Sequence, residues 1–304
     1  MRAPRLVIIG ATGWYGRVLL HEYCMAYGEG SARKNLLLTA SKACQVSIKI
    51  NGSINTFDVH ALENIASLDL SSYETLFWYA FVLKNQIDVV GPIVWGQKNE
   101  KIANEVFNLL KIAPNLRTIY FSSGAALGHE LTPDYDVDPY ANLKIRYEEQ
   151  LKSITDCIVV YPYATSGMYV NNIEAFALSS FIFQSMNDRV INIKADFPVV
   201  RSYSSAHDFS RLLLKFSEQD RWGGLVKRIV PVTHSLELQQ LANEVIDALN
   251  LNISVTRPKL SAGKKPSIYV ADSFEFPALM ADWGLVSTSL ADQIREMAAD
   301  ILAK

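Results

Sequence analysis

Tyr140 and Lys144 are four residues apart in a segment of helical periodicity, so both side chains project from one face. Leu143, Tyr147 and Leu151 lie on or beside that face, which turns the pair inward. A buried ammonium stabilises phenolate and draws a tyrosine pKa down from about 10, so that the phenol can trade protons at neutral pH. Ser123, at the end of an apolar run just upstream, adds a second hydroxyl. The three residues predict proton transfer at an oxygen held between Tyr140 and Ser123. The competing reading is a structural serine and a packed tyrosine beside a snorkelling lysine, because Tyr-x-x-x-Lys arises by chance on the order of once in a chain this long.

Position gives the set its weight. The first half alternates short apolar runs, at 6–9, 36–39, 54–57, 75–79, 118–121 and 157–160, with helical stretches at 16–27, 99–112 and 138–153. Runs without polar alternation are strands buried on both faces, and the alternation with helices predicts an α/β doubly wound parallel sheet. Ser123 ends the fifth strand, on the sheet edge where such proteins bind ligands, and Tyr140 begins the next helix. Asp138-Pro139 marks that helix start, by capping and by the fixed φ of proline. The second half is less regular, with helices expected at 173–186, 209–216, 236–249 and 290–302 and extended pieces at 190–191 and 199–208. A nucleotide-binding domain at 1–165 and a smaller, interrupted substrate domain at 166–304 are expected, with 199–232 returning to the first.

Gly10, Gly13 and Gly16 lie between the first strand and the first helix, in the string Gly10-Ala11-Thr12-Gly13-Trp14-Tyr15-Gly16. Backbone without Cβ can approach a pyrophosphate, and the helix that follows points its unpaired N–H groups at the same charge. A dinucleotide site is therefore expected here. The second strand runs into Ala40-Ser41-Lys42, and no acid occurs between Glu29 and Asp58 to hold ribose hydroxyls. Ser41, Lys42 and Arg17 suit a 2′-phosphate, which favours NADP(H) while NAD(H) stays possible. The alternative is that both cations are merely solvated. Asp58, taken to end the third strand, is a candidate acceptor for the adenine amino group, or else a surface turn residue.

Composition sets the outer limits. The 304 residues are 49% hydrophobic and 20% charged, an ordinary globular balance that excludes a disordered or fibrous chain. A formal net charge of −2 and a pI near 6.2 give no field for nucleic acid. No apolar stretch is long enough for a membrane span or a secretory leader. Three cysteines, Cys24, Cys44 and Cys157, have no metal-type spacing and no pairing pattern, which predicts no metal and a reducing, cytoplasmic setting.

Taken together these residues resemble the extended short-chain dehydrogenase/reductases, in their nucleotide-sugar epimerase, dehydratase and reductase branch. The resemblance runs nearly end to end. The glycine string matches the family's cofactor turn, Asp58-Val59 its adenine-side pair, and Tyr79-Ala80-Phe81 the loop after the fourth strand, with Trp78 where many relatives carry histidine. Counting back from Gly128 selects Ser123 rather than Ser122 as the catalytic hydroxyl, and Tyr140 and Lys144 match the family pair. Pro162 matches the proline near the nicotinamide amide, although Tyr161 replaces the usual arginine. Asn171-Asn172 and Arg201 resemble the family's contacts to a sugar-nucleotide pyrophosphate, with a helix cap and a surface ion pair as the plainer readings. A homodimer through a helix pair is also implied.

The family's dehydratases carry Asp-Glu after the catalytic hydroxyl residue, whereas Gly124-Ala125 follows Ser123 here, which leaves reduction or epimerisation. The missing acid at the second strand tilts the expectation towards NADPH-dependent reduction of a keto group, at C4 of a nucleoside-diphosphate 6-deoxy sugar. The alternatives are an epimerase that retains NAD(P), a silent NADP-sensing regulator, and a reductase of a non-nucleotide ketone.

Overall fold

The run Leu6-Val7-Ile8-Ile9 has no polar residue and forms β1 (Leu6–Ile9), buried along its whole length between two helical layers. The computed structural model to which it belongs describes residues 2–131 and 138–303. These fall into two units, Met1–Tyr161 with Leu213–Ile229, and Pro162–Leu212 with Val230–Lys304.

In the first unit β1 is followed by α1 (Trp14–Tyr27), α2 (Glu29–Asn35), β2 (Leu36–Ala40), β3 (Cys44–Ile50), β4 (Ser53–Ala61), β5 (Thr75–Trp78), α3 (Ile87–Val90), α4 (Pro92–Ile112), β6 (Arg117–Phe121), α5 (Gly124–Leu131), α6 (Pro139–Ile154) and β7 (Cys157–Val160). The sheet reads Arg228–Ile229, β7, β6, β5, β1, β2, β4, β3, parallel throughout except at β3. The chain leaves β1 first for β2 and later for β5 on its other side, so the C-terminal ends of β1 and β5 flank a topological switch point. Trp78, at the end of β5, is 1% exposed, stacks on Tyr147 at 5.6 Å, and donates from Nε1 to Ala80 O at 2.9 Å. Trp78 is therefore core packing that also fixes the loop behind it.

Two sequence expectations are corrected in this unit. The region of β3 carries no expected strand, yet β3 pairs antiparallel with β4 through an Asn51-Gly52 turn with φ of 48° and 84°. Both residues lie in the left-handed region that two-residue hairpin turns require. Helix α4 starts at Pro92, well before the expected start at Asn99, after Gly91 at φ 81°.

The second unit holds a small sheet in which Val199–Ser205 pairs with His234–Glu237, Ser267–Tyr269 and Ala164–Ser166. A two-stranded ladder joins Val190–Asn192 to Ser254–Thr256, and helices Ala177–Asn187, Leu238–Ala248 and Leu290–Leu302 pack together. The expected helix at 173–186 is broken. Ile173–Ala175 is a 3₁₀ turn, Phe176 is extended at φ −121°, and the helix proper is Ala177–Asn187.

Candidate active site

The glycine turn is shaped first by its own packing. Gly10 has φ +95°, and a Cβ there would meet the Ala80 amide nitrogen at 2.8 Å, so the turn after β1 lies directly against the loop after β5. A Cβ on Gly16 would strike Gly10 O and approach Ala11 Cα to 2.7 Å, which fixes how closely α1 approaches the turn. Gly13 is different, because its Cβ would meet only Gly10 O, at 3.2 Å. Gly13 has no side chain to cap α1, and no acid stands in the first turn. The N–H groups at that end, from Trp14 onward, keep their positive field for an anion, and the cradle fits a dinucleotide pyrophosphate. Thr12 lies within the turn, half-buried.

Around this turn the structure places Ser41 and Lys42, both exposed, in the turn after β2, and Arg17 on α1. No acid caps β2, which ends Thr39-Ala40. Asp58 is a correction. It does not end its strand but sits inside β4, exposed, accepting from Gln45 Nε2 at 3.0 Å on the neighbouring β3. Val59 faces the other way and is 3% exposed. The strand ends at Ala61, paired with Ala40, two residues beyond Val59. Pairing with β3 carries the strand through Val59 and pairing with β2 carries it on to Ala61, past the expected end.

Tyr79, Ala80 and Phe81 follow β5 and face the same edge. Tyr79 packs on Phe121 at 4.4 Å and on Tyr15 at 6.1 Å, and its buried hydroxyl has no hydrogen-bond partner among the described residues. Burial holds that phenol well above its ordinary range. An orphaned donor at depth calls for a ligand or water to satisfy it.

Asp138 caps α6 by accepting from the Tyr140 amide at 3.0 Å and the Ala141 amide at 3.5 Å. This aims the first turn of α6, with Tyr140, back at the end of β6. There the Ser123 side chain hydrogen-bonds Tyr140, and Ser123 Oγ also accepts from Ala126 N at 3.2 Å. Ser122 Oγ, by contrast, is buried without a partner among the described residues. Lys144 Nζ, one turn on, donates to Phe121 O at 2.6 Å and lies 3.9 Å from the centre of the Phe81 ring.

The electrostatics differ from the sequence expectation. Burial pushes the Tyr140 phenol up to about 12, with the Ser123 bond opposing, and Lys144 does not draw it down. Burial alone lowers Lys144 from 10.5 to about 7, so the ammonium is half lost at neutral pH and has little charge to lend. Tyr140 is thus a protonated phenol in this state, suited to giving a proton rather than taking one.

In the second unit Arg201 donates from Nη1 to Val200 O and Ser267 O, both at 2.8 Å, and from Nη2 to Ser267 Oγ at 3.0 Å. Its Nε–H and the adjacent Nη2–H remain, the side-on pair that grips an oxyanion. Asn172 is exposed and caps no helix with its side chain, since the next element is the 3₁₀ turn. Pro162 opens this unit and is buried. Sequence reasoning missed the aromatic wall of Tyr15, Tyr79 and Phe121 as an assembly, although it singled out Tyr15 and Tyr79 separately. It also missed Glu148, 5% exposed, which accepts from the Tyr161 hydroxyl.

No family model and no curated protein matches the chain. Solved structures do. A UDP-N-acetylglucosamine 4-epimerase from Methanobrevibacter ruminantium, in complex with UDP-N-acetylmuramic acid, is similar over 100% of this chain and 99% of its own, at 17% identity and a TM-score of 0.69. TunA, an NAD-dependent NDP-hexosamine 5,6-dehydratase of tunicamycin biosynthesis, covers 99% and 98% at 14% identity and 0.72. A UDP-glucose 4-epimerase from Brucella ovis, in complex with NAD, covers 98% and 98% at 14% identity and 0.71. The chain shares their α/β Rossmann fold from end to end.

Proposed function

We propose that this chain is an extended short-chain oxidoreductase that reduces a keto group of a nucleotide-linked sugar with NADPH. The observation that carries the reading is the pairing of the Tyr140 and Ser123 hydroxyls, beside a buried Lys144, on the sheet edge that also bears the uncapped glycine turn. Gly10, Thr12, Gly13, Trp14, Tyr15 and Gly16 would hold the pyrophosphate of the coenzyme, and Ser41, Lys42 and Arg17 its 2′-phosphate. Tyr79, Ala80 and Phe81 line the same edge, and Pro162 belongs to the coenzyme set by resemblance. When bound, the reduced nicotinamide supplies a hydride to a carbonyl carbon.

The protein's own part is proton delivery and alignment. Ser123 fixes the orientation of the phenol, and Tyr140, protonated at neutral pH, hands its Oη proton to the forming alkoxide. Lys144 neutralises the phenolate left behind, and gains a proton more readily once that negative charge exists. Arg201, through its remaining N–H pair, and Asn172 would engage the substrate pyrophosphate. The substrate that this reading requires is a nucleoside-diphosphate 4-keto-6-deoxy sugar.

A second reading, an epimerase with retained NAD(P), draws on the 4-epimerases among the structural neighbours, that of Brucella ovis in complex with NAD. It requires Tyr140 to start as a base, against the raised phenol. No helix is long and apolar enough to cross a membrane among the described residues, and the three cysteines are free, with the Cys44 thiol exposed. We place the protein in the cytoplasm as a homodimer, the helix-pair assembly being what the resemblance implies. A screen of NADPH consumption across nucleotide-linked 4-keto-6-deoxy sugars, with product stereochemistry read by NMR, tests the reading. Turnover of an unreduced sugar epimer without net NADPH loss would replace it by the epimerase.

A further inference from the structure

Lys144 lies 4% exposed and has no carboxylate partner among the described residues, so something must keep water from it. Its one hydrogen-bond acceptor among those residues is Phe121 O. Of the aromatic rings around it the Phe81 ring is nearest, with Nζ 3.9 Å from the centroid, against 5.1 Å for Tyr120 and 5.9 Å for Tyr140. The same ring meets Tyr140 edge-on, at 5.3 Å and 83°. Phe81 therefore touches both members of the pair.

The ring is also held in place. It packs against Trp95 of α4 at 6.0 Å and Tyr147 of α6 at 6.4 Å. The next residue of its loop is clamped twice: Asn99 Oδ1 accepts from Val82 N at 2.8 Å, and Trp95 Nε1 donates to Val82 O at 2.7 Å. Both clamps come from buried side chains of α4. A cation facing an aromatic ring in a dry site is attracted by it, but cannot recover there what hydration would have given.

Resting on the reading of Tyr140 and Lys144 as an acid–base pair, we propose that Phe81 is a positioning residue, whose clamped ring seals Lys144 from water and presses its ammonium between Phe121 O and Tyr140. The titratable groups around Lys144 leave the ring as the controlling element. Tyr120, from β6, donates its hydroxyl to Lys144 O, and Tyr140 bonds to Ser123. Glu148, one turn along α6, is engaged by Tyr161 and Lys152. Tyr15, from α1, acts on Tyr140. With the ring in place the lysine loses its proton near neutrality, and with the ring removed it returns to ordinary lysine behaviour.

The test is an NMR titration of the full chain carrying ε-carbon-labelled lysine, with the Lys144 signal assigned by its loss in Lys144→Met. The unsubstituted protein should show a Lys144 midpoint of about 7. Phe81→Ala should raise it by about two units or more, and Phe81→Tyr, which keeps the ring face, should leave it within about half a unit. A Phe81→Ala protein that is folded, by its circular dichroism, and titrates as before overturns the proposal. Should the alanine variant not fold, Phe81→Leu serves, with a rise of about one unit expected and no rise counting against the ring. NADPH turnover is scored separately on the same samples. An inactive protein with the expected titrations removes the enzymatic reading and leaves the seal standing, whereas an active protein whose Lys144 ignores Phe81 does the reverse.

Discussion

Replacing Lys144 by methionine should destroy turnover and stabilise the fold. A lysine that titrates at about 7 in place of 10.5 costs the folded state about 4 kcal/mol at pH 7, at about 1.4 kcal/mol per pH unit and allowing for the half already deprotonated. The folded pKa lies below the unfolded one, so between the two the unfolded chain binds more protons and stability rises as pH climbs from about 7 towards 10.5. Methionine carries a similar apolar stem and no proton. Its cost is the abandoned Phe121 carbonyl, about 1–3 kcal/mol. The variant should therefore gain about 1–3 kcal/mol at pH 7 and lose that advantage by about pH 10. Urea unfolding of both proteins at the two pH values reads this directly. A Lys144→Met protein less stable than its parent at pH 7, or a gap that ignores pH, refutes the claim that the ammonium is buried at a penalty.

Tyr140→Phe keeps the ring against Phe81 and removes only the proton, so kcat should fall by about 10²–10⁴-fold with coenzyme affinity retained. Lys42→Ala should weaken NADPH and leave NADH untouched, narrowing the preference by about tenfold, as measured by fluorescence titration. Asp58→Ala, at an exposed position bonded to Gln45, should leave both coenzyme affinities unchanged. Gly16→Ala should cost at least about 3 kcal/mol in a melt, because its methyl group meets backbone at Gly10 and Ala11 rather than a side chain that can swing away.

The strands of the parallel sheet were legible because burial on both faces erases polar alternation, and β1, β5, β6 and β7 begin and end within a residue of where the sequence puts them. The hairpin carries its own signal too, since Asn51-Gly52 joins Val46, Ile48 and Phe57 at strand spacing. A pattern of parallel strands alone has no room for it, and Asp58 is misplaced as a result. The glycine turn and the Tyr140 helix depend on local backbone chemistry, which spacing reports well. The protonation states were not legible. They depend on how much water reaches Tyr140 and Lys144, and that is decided by Phe81, from a distant part of the chain. The same holds for Asn172, whose helix fails to start because Phe176 is extended.

Residues Leu213–Ile229 complete the first unit from far along the chain, and their consequence is practical. Trp222, 1% exposed, slides under the Arg117 guanidinium at 4.8 Å, and Arg228–Ile229 zips onto the free rim of β7. A gene cut after Tyr161 would make a protein with a hole where that indole belongs and a raw strand rim beside it, inviting aggregation. Producing this half alone therefore calls for splicing the distant stretch back on through a designed linker, not for a stop codon.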